Sequence, residues 1–167
     1  MIKRASSKLA LRVVQIALLG LCFGALPTAA QKGQGVVSHA RGTFEVKLVP
    51  QQDSSQDQGL TRMTIDKQFQ GDLEGTSQGQ MLATGGPKQG SGGYVAIERV
   101  NAKLAGNTGT FVLQHNATMD HGKPDLNIIV VPDSGTDQLA GITGKLMIEI
   151  KDGKHFYDFE YTLPAAH

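Results

Sequence analysis

Apolar and polar residues alternate singly along much of this chain. Phe44, Val46 and Leu48 alternate with Glu45 and Lys47; Met63, Ile65 and Phe69 with Thr64, Asp66 and Gln68; Leu146, Ile148 and Ile150 with Met147, Glu149 and Lys151. Successive side chains of a strand point to opposite faces, so each run predicts a strand with one buried face. No window shows an apolar stripe at helical spacing, and the domain reads as nearly all β. The pattern predicts eight strands, at 42–49, 60–69, 72–83, 93–103, 109–119, 125–131, 143–151 and 154–163.

The punctuation between these runs agrees. Asp152-Gly153 sits between two alternating runs, and that dipeptide suits a tight hairpin turn with positive φ. Ala105 to Gly109 reads as another turn, and Pro132 to Gly141 as a longer loop. Gln51 to Gly59 and Gly85 to Gly93 are polar connections. Eight antiparallel strands in a meander can close into a barrel whose interior is filled or holds one small ligand. An open two-sheet sandwich is the alternative. Leu73, Gly75, Ser77, Gly79 and Met81 form a row of mostly small residues. Glycine inside a strand marks a bend or a close approach, as a curved barrel wall requires, or else a frayed edge.

Several polar residues fall on apolar rows. His115 lies between Leu113 and Ala117, with Phe111 and Met119 further along the row. Tyr94 and Glu98 share a row with Ala96 and Val100, although Val95 and Ile97 compete for the inward face. Lys67 falls between Ile65 and Phe69, and His155, Tyr157 and Tyr161 share a row with Phe159. Buried charge is costly unless paired, so an inward Glu98 requires Lys67 or a histidine beside it. An apolar cavity with a few convergent polar groups is the usual form of a small-molecule site. A carboxylate beside an imidazole also suits general acid–base work. The candidate ligand-binding residues are therefore His115, Glu98, Tyr94, Lys67, Phe111, Leu113, Met119 and Tyr157. Each has a plainer reading: His115 as a hydrogen-bonded core residue, Lys67 as a side chain reaching out of a barrel end, and the tyrosines as packing.

Other chemistry is weakly signalled. Asp120, His121 and Asp125 gather in a loop, but no His-x-His or His-Glu-x-x-His spacing occurs. No metal and no cofactor are expected. There is no Gly-x-Ser-x-Gly elbow and no phosphate loop. Asn116 fits a glycosylation sequon but falls in mid-strand.

The N-terminus changes the charge and the compartment. Lys3, Arg4, Lys8 and Arg12 precede an uncharged, mostly apolar run from Val13 to Leu26; Pro27 and small residues to Ala30 follow. That order predicts a secretory signal peptide over residues 1–30, a flexible lead-in over 31–41, and one domain over 42–164. The apolar run is short for a bilayer span, which takes about 20 residues. Leu21 before Cys22 does not suit a lipoprotein cleavage site. Cys22, the one cysteine, then leaves with the leader, and the exported domain relies on no disulfide. The expected location is periplasmic or secreted, with no stable membrane insertion after cleavage. Four of the 16 basic residues and none of the 15 acidic ones lie in the leader, so the remainder is formally −3. A mildly acidic domain without basic clusters is a poor nucleic-acid binder.

The phrases "GTFEVKLVP", "TRMTIDKQFQGDLEGTSQGQM", "GYVAIERV", "GNTGTFVLQHNATMDHG", "VVPDSGTDQLAGITGKLMIEI" and "DGKHFYDFEYTLP" resemble the bacterial family catalogued as domain of unknown function 3224. The likeness covers roughly Gly42 to Pro164. It implies an allene oxide cyclase-like fold, a closed eight-stranded antiparallel barrel related to the lipocalin type. It brings no established activity and no catalytic residues, but His115, Glu98 and Tyr157 lie within its recurring phrases. The leader departs from many members of that family. The expected protein is thus an exported, cofactor-free barrel binding a small, partly apolar molecule. The alternatives are an isomerase or cyclase using His115 with Glu98, and a non-catalytic structural or interaction module. Association of barrels through their walls is left open.

Overall fold

The computed structural model describes residues 35–52 and 59–164 of the chain. The expected leader and the first residues of the lead-in lie outside the described residues. Eight strands follow one another: β1 (Val37–Pro50), β2 (Leu60–Gly71), β3 (Leu73–Gly85), β4 (Gly92–Leu104), β5 (Asn107–Asp120), β6 (Lys123–Val130), β7 (Thr143–Lys151) and β8 (Lys154–Thr162). Each pairs antiparallel with the next, and β8 returns to β1, so the sheet closes into a barrel. A short 3-10 helix at Asp137–Leu139 is the only helix among the described residues.

β1 starts at Val37, five residues before the expected start at 42, and pairs Val37 with Thr162. Its early residues are polar because their outward side chains work on the outer wall. Arg41 Nε donates to Asp158 Oδ2 at 2.8 Å, and His39 Nδ1 lies 2.7 Å from Asp158 Oδ1. The hydrogen bond from His39, followed by the bond and charge of Arg41, holds the Asp158 carboxyl below its ordinary value. The β7–β8 turn carries Asp152 and Gly153 at φ 51° and 74°, as the Asp-Gly pair predicts.

The interior has two unlike halves. Around Phe111, Phe159 and Tyr161 the side chains fill the barrel: Phe111 stacks on Phe159 at 5.6 Å and Phe159 on Tyr161 at 5.3 Å. Leu73, Leu104, Leu113, Ile128, Leu139 and Ile142 have no exposed surface. The loop after β6 seals this end. Ser134 Oγ receives the Val112 amide, Thr136 Oγ1 that of Thr110, and Gln138 Oε1 that of Thr108, so the loop takes up the edge of β5 that the shorter β6 leaves unpaired. Leu139 and Ile142 then drop into the end of the barrel as a plug.

Among the described residues the opposite end is open, a mouth. A second cluster of Ile65, Met81 and Ala96 packs with Val46, Met63, Ala83 and Tyr94 on the β2–β4 side. Beyond it the inward rows surface: Leu48 is 47% exposed, Met119 41% and Ile150 66%. The wall is looser here. β6 and β7 share the single pair Ile129–Lys145, and β8 leaves β1 at His155–Phe44, after which β1 runs on alone on that side.

Candidate functional site

Strand register brings the polar residues of the interior together. Lys67 on β2 lies opposite Ser77 on β3; Glu98 on β4 lies opposite Gly79 on β3 and Leu113 on β5; His115 on β5 lies opposite Ala96 on β4. All point inward, and Lys67, Ser77, Glu98 and His115 are buried. The competition on β4 is resolved by this register. Tyr94, Ala96, Glu98 and Val100 take the inner face, leaving Val95 and Ile97 more than half exposed outside.

Glu98 is the centre. Lys67 Nζ donates to its Oε2 at 2.7 Å, and Ser77 Oγ donates to Oε1. His115 Nε2 lies 3.0 Å from Oε2, close enough to bond, but the two are poorly aligned and no better partner faces the nitrogen. The imidazole is a close neighbour of the carboxylate rather than a well-formed donor to it. Lys67 also lies 5.0 Å from the ring centre of Phe44 and 5.8 Å from that of Phe69, so aromatic faces share its charge. Tyr94 covers the group from the mouth side, its ring 6.4 Å from that of His115.

The electrostatics follow from this packing. Burial by itself raises the Glu98 carboxyl; the contact with His115, the charge and hydrogen bond of Lys67 and the Ser77 hydroxyl outweigh it and bring it down to about 2. Glu98 is therefore a carboxylate at any physiological pH. The Tyr94 phenol shifts the other way, raised first by burial and then by the charge of Glu98. It stays a neutral hydroxyl.

Gly79 makes room for this arrangement. A Cβ there would stand 2.5 Å from the Ile97 carbonyl oxygen and 3.1 Å from the Glu98 Cβ. The small row of β3 thus serves close approach at the Glu98 backbone, and its one hydroxyl, Ser77, is a member of the site. The sequence pattern placed Ser77 on the row but gave no sign of that role. Phe44 and Phe69 were legible only as core positions; their contact with Lys67 depends on the closure of β1 onto β2.

Of the eight expected residues, four assemble: Lys67, Tyr94, Glu98 and His115. Leu113 packs beside them, fully buried. Phe111 belongs to the filled half, and Met119 stands at the rim, as the exposed end of the row. Tyr157 is elsewhere. Its hydroxyl accepts the Leu73 amide at 2.9 Å and lies 3.3 Å from the Gln70 carbonyl, fastening the β2–β3 turn, and Phe69 meets its ring edge-on. His155 lies against Phe44 with ring centres 5.0 Å apart and the rings tilted by 35°.

Two depressions flank the site. One of about 550 Å³ lies over the β1–β8 seam at the mouth, lined by Phe44, Val46 and His155 from the inner rows together with Thr43, Glu45 and Gln70. Another, of about 390 Å³, lies on the outer wall over Leu82, Val95 and Ile97. Among the described residues no three or more His, Cys, Asp or Glu side chains converge as a metal site would need.

The comparisons with known proteins add a family but no chemistry. Residues 40–161 match the model of a family described as protein of unknown function (DUF3224). A crystal structure from that family, of a protein of unknown function from Shewanella oneidensis MR-1, is 43% identical. The match covers 78% of this chain and all of that one, with a TM-score of 0.74. No curated protein matches.

Proposed function

The chain belongs to the DUF3224 family of proteins of unknown function, and from its geometry we propose that the barrel binds a small, partly apolar molecule at its open end. Tyr94 and His115 would orient the ligand's polar group, and Lys67, Glu98 and Ser77 would form the fixed base behind them. The observation that carries this reading is the buried His115 Nε2, which lacks an aligned hydrogen-bond partner beneath an apolar mouth. A buried polar atom whose one neighbour is poorly aligned is under-satisfied, and a ligand atom in better line with it would recover free energy. The half-exposed Val46, Leu126 and Ile148 supply apolar surface on the side where the wall is loosest.

The experiment is titration with N-phenylnaphthylamine, an uncharged dye that brightens in apolar surroundings. A saturable signal with a single site is expected. His115→Leu should weaken it about tenfold, while the midpoint of thermal unfolding moves little. Uptake that never saturates, or that is indifferent to position 115, overturns the reading.

The isomerase or cyclase alternative has one supporting observation, the imidazole 3.0 Å from a carboxylate. The allene oxide cyclase-like fold that the family resemblance implies is a fold-level analogy and does not carry function. Efficient proton transfer wants a group that titrates near the working pH. Glu98, brought down to about 2, is far from that range. It suits positioning His115 better than exchanging protons, and this favours binding. Export belongs to the same proposal. It rests on the basic head and apolar run of residues 1–30, and mass spectrometry of the protein from its native host would show a mature chain starting at Gln31.

A further inference from the structure

The charges inside the barrel narrow the class of molecule it can hold. Lys67 and Glu98 are the charged side chains buried there among the described residues, and they neutralise each other at 2.7 Å. The ammonium is also flanked by the rings of Phe44 and Phe69, leaving it little capacity for a second anion. A carboxylate entering from the mouth would come up against the carboxylate of Glu98 with a cation already shared. Like charges in a poorly solvated site repel strongly. A hydroxyl or carbonyl meets no such penalty. It finds the Nε2 of His115, which has only the poorly aligned Glu98 Oε2 at 3.0 Å, and, beside it, a tyrosine hydroxyl kept neutral by burial and by Glu98. The walls above are apolar: Ile65, Met81 and Ala96 on one side, Leu126 and Ile148 on the other.

Resting on the binding reading above, we propose that the site is selective for an uncharged amphiphile, an apolar chain ending in a hydroxyl or carbonyl, and rejects the corresponding carboxylate. The polar end sits at His115 and Tyr94, and the chain extends toward Val46, Leu126 and Ile148. Selectivity comes from Glu98, which is fixed in its ionised form by three neighbours and cannot accept a proton to accommodate an acid.

The test is displacement of bound N-phenylnaphthylamine from the full domain by n-decanol, methyl octyl ketone and decanoate. The titrations are run at pH 8, where decanoate is fully ionised. The alcohol or the ketone should compete roughly tenfold or more better than decanoate, a factor well outside titration error. In Glu98→Gln the Lys67 ammonium loses its counter-ion, and the preference should move toward decanoate by roughly tenfold. Decanoate competing as well as the uncharged ligands in the wild type overturns the selectivity and leaves the binding reading standing. Dye uptake that none of the three displaces also overturns this inference alone. Failure of the dye itself to bind removes both. A Glu98→Gln protein that folds and keeps the wild-type ratio overturns the role given to Glu98; the wild-type comparison stands without that variant.

Discussion

The two ends of the barrel are built from the same alternating strands and differ in what covers them. At the sealed end the loop following β6 crosses the opening and sets Leu139 and Ile142 onto Phe111 and Phe159, so the inward rows finish with no exposed surface. At the mouth the β5–β6 and β7–β8 hairpins are tight, and no described residue of the longer β1–β2 and β3–β4 connections joins the core. The same inward rows end in Leu48, Met119 and Ile150, each more than two-fifths exposed. Alternation chooses which side chains point in. Whether those side chains form a core or an exposed rim is decided by what the connections set over them and by where neighbouring strands stop pairing.

The comparison can be broken at either end. Phe111→Ala in the filled half should cost about 3–5 kcal/mol, since a large cavity opens where no side chain can collapse into it. Urea unfolding would measure it, and a cost under about 1 kcal/mol would mean that this half is not the packed one.

Lys67→Met tests the layer between the halves. It leaves the Glu98 carboxylate buried with Ser77 and His115 only, and should cost about 3 kcal/mol, near the lower bound for breaking a buried pair. Replacing both partners, Lys67→Met with Glu98→Leu, should restore most of that stability while abolishing discrimination between uncharged and anionic ligands.

A pH series reads the same layer without mutation. The folded-state value of Glu98, about 2, lies below its ordinary 4.5, so between these values the unfolded chain binds more protons. The contribution of Glu98 is therefore complete above about pH 5 and is lost as pH falls through 4 toward 2. It amounts to roughly 3 kcal/mol at most. Glu98→Gln should flatten this part of the stability profile. The half-buried Asp158 shifts in the same direction, and the slope that persists in the variant belongs to it and to the surface carboxyls.

The smallest stability effect is expected at the mouth. Met119→Ser and Ile150→Ser should change stability by less than about 0.5 kcal/mol, as surface substitutions do. They should nonetheless weaken dye binding. A large loss of stability would show that these side chains are part of a core after all.

Much of the architecture could be read along the chain. The alternation of β5 from Gly109 to Ala117 matches its burial residue by residue, and the Asp152-Gly153 turn falls where its φ preference puts it. β1 was harder, because the outward polar residues His39 and Arg41 hide an inward Ala40 and carry no apolar signature of their own. The role of Tyr157 was not legible either. Its row marks it as inward, but nothing local says that its hydroxyl meets the Leu73 amide, 84 residues earlier in the chain.

What the sequence determined by itself is the set of inward rows, and with it the fact that Lys67, Glu98 and His115 share a face type with apolar neighbours. Only the tertiary structure decided that they meet. Glu98 is 31 residues from Lys67, and they touch because β2 pairs with β3 and β3 with β4 in one register. A slip of one residue in either ladder would turn one partner to the outside. Period-two patterning fixes which face a side chain takes, but its height within the barrel is set by cross-strand hydrogen bonds and turn lengths. Contact needs both.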